Sequence, residues 1–233
     1  MKPNVKSEDI INNKGLLDKE SEVLLHALEA VVDSIAEVFG DNCEVVLHSL
    51  EDPAHSVIKI VNSHVTGRKV GAPITDFGLE MLKKAKSSGK DVIGSYYSKL
   101  DDGRLLKSVS TLIRNAQGNP IGEMCINIDL SVPLLDFLRG FLPKGGESSE
   151  KVVEHFPSTL NELVSKTLEM VMTRVNTQKE VSPSERNKTV VMELYTRGIF
   201  DVRGAIDVIA KKMGISRYTV YNYIREAKAE EEV

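Results

Sequence analysis

The stretch GISRYTVYNYIREAK, residues 214–228, decides how this chain is read. Its core candidates are Ile215, Val220 and Tyr223 or Ile224. Its polar face carries Arg217, Tyr218, Tyr221, Asn222 and Arg225, where a helix that needs only solubility would use Lys and Glu. Four residues before Gly214 stands Ala210. A helix-turn-helix needs a small residue where its two helices touch, and Ala210 supplies it. It needs a residue at ease with positive φ in the turn, and Gly214 is that residue. It needs apolar packing just after the turn and again along the next helix, which Ile215, Val220 and Tyr223 or Ile224 provide. Ser216 is placed to cap that helix. The conjunction predicts a helix-turn-helix bound to double-stranded DNA.

With Ser216 as the cap, Arg217, Tyr218, Tyr221, Asn222 and Arg225 fall opposite Val220. Docking of the second helix by its N-terminal part puts Arg217 and Tyr218 nearest the base edges or flanking phosphates, with Asn222 one turn on. Asn pairs with adenine and Arg with guanine through two hydrogen bonds each. Thr219 and Tyr221 are phosphate candidates. Lys211, Lys212 and Arg203 are candidate backbone clamps, which set register rather than sequence.

Upstream, a second helix is expected over 202–213, with Ile206, Ile209, Ala210 and Met213 inward. A first helix starts at SPSE (182–185). Ser182 would accept from the N3 amide, Pro183 would sit at N1 and Glu185 would reach back. Gly198 would end that helix after Arg197. From Pro183 to Lys228 there are nine cations and five anions, whereas the chain as a whole carries −4. A basic module on an acidic body implies a polyanion partner for the module alone.

Before the module, STLNELVSKTLEMVMTRV aligns Leu160, Leu163, Val164, Thr167, Leu168, Val171 and Val175 on one side of a helix. That stripe suits pairing with a second copy and burial in a core equally well. PKGGESSEKVVEHFP (143–157) reads as a linker. The expected domains are a flexible start at 1–17, a sensor domain at 18–142, a linker and connecting dimerisation helix at 143–181, and the helix-turn-helix domain at 182–233.

The body begins with a helix from Asp18 to Phe39, striped by Leu24, Leu28, Val31, Ile35 and Val38 and ended by Gly40. CEVVLHSL (43–50) and SVIKIVN (56–62) read as a hairpin across EDPAH. TDFGLEMLKKAKSSGK reads as a helix capped by Thr75 or Asp76, with Gly89 near its end. Three hairpin-linked strands follow, and LSVPLLDFLRGFL leaves the sheet as a short amphipathic segment. The class is α+β, an antiparallel five-stranded sheet with helices followed by an all-α helix-turn-helix domain.

The loop NSHVTGRKVGAPITD (62–76) is too polar for core and too rich in Gly and Pro for a helix. It offers Asn62, His64, Arg68, Thr75 and Asp76 as ligand-binding candidates. Strand alternation adds Ser110, with Ser108 and Leu112 beside it, and places Cys125, Asn127 and Asp129 on one face. Small polar residues on a face that meets a helix suit a small-molecule pocket.

Taken together, NCEVVLH, NSHVTGRKVGAPITD, DGRLLKSVSTLIRN, GNPIGEMCINID and RGIFDVRGAIDVIAKKMGISRYTVYNYI resemble the YheO-like transcriptional regulators of bacteria, with a PAS-like domain followed by a DauR-like helix-turn-helix. The resemblance runs from about residue 20 to 228. It implies a PAS-type sensor fold, a cytoplasmic regulator acting as a repressor, and an amino-acid-like effector. A homodimer or higher homo-oligomer is expected, since helix-turn-helix readers pair on two half-sites. No cofactor is expected, because the haem- and flavin-binding placements of His and Cys are not seen.

The totals set outer bounds. The chain has 233 residues, 41% hydrophobic and 27% charged, which excludes wholesale disorder. No apolar run is long enough to cross a bilayer and residues 1–15 lack a signal-peptide pattern, so a cytoplasmic protein without a membrane partner is expected. Cys43 and Cys125 lack metal-binding spacing and read as small apolar fillers. An enzyme using Cys125 with His48 or His64 would need an oxyanion signature and an orienting third group, and neither is present, so none is expected. A protein-interaction adaptor without direct DNA contact is the alternative reading.

Overall fold

The computed structural model describes residues 18–88, 90–142, 154–177, 182 and 185–231. The start at 1–17, most of the linker at 143–157, Gly89 and Pro183 lie outside the described residues. The chain divides into two units on either side of residues 146 and 147.

In the first unit, α1 spans Lys19–Phe39. Asp18 caps it by accepting from the Ser21 amide at 2.8 Å, and Gly40, at φ 77°, closes it. Its buried stripe is Leu25, Val32 and Ala36, with Leu28 and Ile35 half-buried beside them. The expected stripe through Leu24, Val31 and Val38 is therefore turned by one residue, and those three are exposed. The helix is apolar along two adjacent lines, so spacing alone fits either one.

The sheet comprises β1 (Cys43–Ser49), β2 (Val57–Val61), β3 (Val92–Lys99), β4 (Leu105–Arg114) and β5 (Pro120–Asp129). Its order is β2-β1-β5-β4-β3, with every neighbouring pair antiparallel. The hairpin expected at EDPAH is present, with a short 3-10 turn at Pro53–His55. Cys43, Val45 and Leu47 point to the α1 side and form a core with Leu25, Val32, Ala36 and Ile121. Side chains alternate along a strand, so Glu44, Val46 and His48 must occupy the opposite face. In register with them stand Asn127, Cys125 and Glu123 on β5, and next to those Ser108, Ser110 and Leu112 on β4.

Helix α2 (Asp76–Ser88) carries its first turn over this second face. Phe77 stacks against Tyr96 of β3 with ring centroids 4.4 Å apart. Of the two cap candidates, Thr75 serves, accepting from the Gly78 amide at 3.0 Å. After β5, α3 (Leu134–Arg139) leaves the sheet with Leu134 and Leu135 exposed.

The second unit is helical: α4 (Leu160–Thr177), α5 (Arg186–Thr196), α6 (Ala205–Met213) and α7 (Arg217–Glu231). On α4, Val164, Leu168, Val171 and Val175 are fully buried against Val190, Leu194, Ala205 and Ile209. That stripe belongs to the core of its own unit. Burying each such side chain stabilises by roughly 1.5–3 kcal/mol. The start of α5 differs from the expected capping box. The Ser182 hydroxyl donates to the Glu185 carboxylate at 2.6 Å, and the helix begins at Arg186. The second helix starts at Ala205 instead of 202, because Gly204 is left-handed at φ 89° and a 3-10 turn fills Ile199–Asp201.

Candidate functional site

Two polar surfaces are candidates, one in each unit. In the second unit the turn between α6 and α7 has the expected geometry. Gly214 is left-handed at φ 69°, and the Ile215 amide returns to the Ala210 carbonyl at 3.1 Å. Ala210, Val191 and Val220 are buried together, with Ile206, Met213, Ile215, Tyr223 and Ile224 packed around them. Ser216 caps α7 by accepting from the Thr219 amide at 3.0 Å, and its hydroxyl lies 2.8 Å from the Thr219 hydroxyl.

Burial of Val220 and Ala227 points the other side of α7 outward. Arg217, Tyr218, Tyr221 and Arg225 are exposed and Asn222 and Thr219 half-buried. Tyr218 is 70% exposed and Tyr221 50%, which is a large aromatic area to leave in water. Several of these cations have neighbours the sequence did not announce. Arg217 pairs with Asp207 of α6 at 2.7 Å, and Arg225 donates to the Asn222 side-chain oxygen at 2.9 Å. Lys212 pairs with Glu169 of α4 at 3.3 Å. Among the described residues Lys211 and Arg203 have no acidic partner, so they present unneutralised charge.

In the first unit the second face of the sheet is polar and buried. Glu44, His48, Ser108, Ser110 and Glu123 are each at most 3% exposed. Glu44 Oε2 accepts from the Thr66 amide at 3.2 Å and the Thr66 hydroxyl at 2.6 Å, and its Oε1 accepts from Asn127 Nδ2 at 2.9 Å. Asn127 Oδ1 accepts from the Ser108 hydroxyl at 2.8 Å. Ser110 Oγ lies 3.1 Å from the Tyr96 hydroxyl and 3.3 Å from Cys125 Sγ. His48 Nδ1 lies 2.9 Å from Ser56 Oγ.

Burial dominates the electrostatics here. It lowers the His48 imidazole to about 4, with the Arg68 charge adding to the effect. It raises the Glu123 carboxyl and the Tyr96 phenol above their ordinary values. It pushes the Cys125 thiol far up, helped by the Glu123 charge, so Cys125 is held as the thiol and not as the thiolate a nucleophile needs. Cys43 is raised to about 11 for the same reason.

Of the expected ligand residues, Ser110, Cys125 and Asn127 meet on this face. Arg68 is half-buried; its guanidinium donates to the Pro73 carbonyl, and its charge acts on His48, Glu123 and Cys125. Asn62 does something else. Among the described residues it is the non-glycine residue at positive φ, 56°, and its amide donates to the Gly40 and Cys43 carbonyls at 3.1 and 2.7 Å, tying β2 to the start of β1. Thr75 is the α2 cap, Asp76 accepts from the Phe77 amide at 2.8 Å in the exposed first turn, and His64 is exposed. Glu44 and Glu123 were missed. Their signal was the two-residue alternation that places them in register with Asn127 and Leu112. A separate surface cleft of about 270 Å³ runs along α1 past Val23, Leu24 and Asn115; its lining is almost wholly apolar, without convergent polar groups. No group of three or more His, Cys, Asp or Glu among the described residues is arranged to hold a metal ion.

Comparison with known proteins covers both surfaces. Residues 18–143 match the YheO-like PAS domain and residues 163–225 a helix-turn-helix domain. An uncharacterized protein of Haemophilus influenzae is 39% identical over 222 residues, which is 95% of this chain and 99% of that one. The Escherichia coli K12 protein YheO is 40% identical over 206 residues, 88% of this chain and 85% of that one. The transcriptional regulator DauR of Pseudomonas aeruginosa is 26% identical over 207 residues, 88% of this chain and 94% of that one.

Proposed function

The chain belongs to the YheO-like PAS family with a helix-turn-helix domain, a family of DNA-binding transcriptional regulators, and we propose that α7 reads operator DNA while the PAS domain senses a small molecule. One observation carries the proposal: a capped helix behind a left-handed glycine corner, buried through Val220 and presenting Arg217, Tyr218, Tyr221, Asn222 and Arg225 outward. In the major groove, Arg217 and Tyr218 lead, and Asn222 follows one turn later to read a base edge. Ser216 and Thr219 at the helix start, with Tyr221, take phosphate oxygens. Lys211, Arg203 and, once released from Glu169, Lys212 hold the backbone and set the salt dependence. Two copies bind two half-sites as a homodimer, and occupancy of the operator represses by excluding polymerase.

The sensing half rests on the polar face of the sheet, where buried Ser108 and Ser110 meet half-buried Cys125 and Asn127. The effector acts by binding one arrangement of the PAS domain better than another. The lack of any described helix able to cross a membrane accords with a cytoplasmic site of action.

Fluorescence anisotropy on duplexes from the upstream region of the gene tests the DNA half. Wild-type protein is expected to bind with an affinity that falls steeply with salt, and Asn222→Ala and Arg217→Ala to weaken binding to the preferred duplex. Equal binding by both variants would remove α7 from the reading role.

A further inference from the structure

Helix α3 turns its apolar side to water. Leu134, Leu138 and Leu142 recur every four residues, with Leu135 and Phe141 beside them, and all five are exposed. None of the residues of the helix itself is buried. A helix of six residues without a buried side chain does not hold in water by itself. The apolar face continues onto the end of α1. Phe39 meets Phe141 edge to face with ring centroids 6.3 Å apart, and a Cβ on Gly40 would lie 3.2 Å from the Gly140 Cα. These six apolar side chains are between 38% and 73% exposed. Together they present on the order of several hundred Å², more than a monomer ordinarily leaves in water and the greater part of the ~800 Å² that each partner gives a stable interface.

The rest of the chain offers little to cover them. Helix α1 has 21 residues and spans about 31 Å, and the apolar residues before it are tethered at its far end. Fully stretched at about 3.3–3.6 Å per residue, Ile11, Leu16 and Leu17 fall short of Phe39 and Ile10 only draws level. Beyond Leu142, PKGGESSEKVV (143–153) offers two valines. In the second unit the large apolar side chains left exposed among the described residues are Phe156, Leu160, Tyr218 and Tyr221, the last two on the outward side of α7.

We propose that this face is where two copies of the chain pair, α3 of one protomer against α3 of its partner across a two-fold axis. The inference names the partner surface of the homodimer proposed above and rests on that reading. A second copy brings the same leucine-rich face, which is what an isologous contact needs. Asp136 and Arg139, 2.6 Å apart on the same helix, cancel in charge, so the copies meet without repulsion and the pair can be exchanged across the axis. A lipid surface calls for a basic rim, whereas the cation of α3, Arg139, is already matched by Asp136.

Sedimentation velocity on the full chain, with Leu135→Glu and Leu138→Glu as variants, tests this. Both positions are exposed in the single chain and glutamate favours helix, so each variant is expected to fold. Wild-type protein is expected to be a dimer, and each variant to raise the dissociation constant by about thirtyfold or more. The urea midpoint of the wild type should rise with protein concentration and that of the variants should not. A dimer that survives both substitutions overturns this surface and leaves the homodimer standing. Variants that lower the urea midpoint equally at every concentration, with the assembly state unchanged, give the face to the chain's own residues and also overturn it. A wild-type monomer overturns the surface and the homodimer together, and flotation of that monomer with phosphatidylglycerol vesicles would assign the face to lipid. The DNA-reading role of α7 is judged separately, by the anisotropy titration.

Discussion

The inner face of the sheet and the outer face of α7 are both polar, and they obey opposite rules. On the sheet, buried Glu44 and Ser108 are locked to half-buried Asn127 and Thr66. On α7, Tyr218 and Tyr221 stand largely in solvent, and Arg217 and Arg225 are held only by surface neighbours. A buried polar group depends on its partners, because removing one leaves another unpaired. An exposed one loses little, because water replaces the partner. The same residue types therefore bear on folding in one place and are left accessible to a partner in the other.

Four substitutions or titrations put that contrast at risk. The largest effect is expected for Glu44→Ala, which strands the Thr66 and Asn127 donors; urea denaturation should show a loss of about 4 kcal/mol. A loss under about 1 kcal/mol would mean water already serves those donors. Next comes acid. The His48 pKa is lowered from 6.5 to about 4 on folding, so the unfolded chain binds the proton first. Its contribution is fully present above pH 6.5 and is lost as pH falls towards 4. That costs about 1.4 kcal/mol per pH unit, about 3 kcal/mol in all. His48→Gln should flatten the stability profile between those values, and an unchanged slope would place the titration elsewhere.

Smaller still, and different in kind, is Asn222→Ala. It should leave the urea midpoint nearly unmoved and weaken DNA binding by roughly 1–3 kcal/mol, with the loss concentrated on one duplex sequence. A uniform loss across all duplexes would assign Asn222 to phosphate instead. Ser216→Ala is the smallest, a loss of about 1 kcal/mol in helix stability from the missing cap, seen in thermal unfolding of the whole chain.

Much of this contrast was legible in the amino-acid order. Ala210, Gly214, Ile215, Ser216 and Val220 are local: each acts within a few residues of the turn, so spacing alone located them. The strand order and the Ser110–Cys125–Asn127 grouping were half legible, because alternation says which residues share a face but not what lies opposite. Glu44 and Glu123 escaped notice because their meaning comes from register between β1 and β5. Nothing within CEVVLHS says that its Glu will meet Asn127. Two apolar lines on α1 made its buried side undecidable from periodicity, and only packing against Cys43, Val45 and Leu47 selects Leu25, Val32 and Ala36. Asn62 sits in a polar loop whose composition suggests chemistry, yet its left-handed backbone and two carbonyl contacts make it a brace.

Helix α6 is fenced by left-handed glycines, Gly204 at φ 89° and Gly214 at φ 69°. Neither end can creep outward to absorb a change in length. One residue inserted between the fences would rotate everything downstream by about 100°, carrying Asn222 and Arg225 away from the solvent side and Val220 out of its socket. The nine residues from Ala205 to Met213 thus act as a gauge block, tolerant of composition on their outer side and intolerant of any indel.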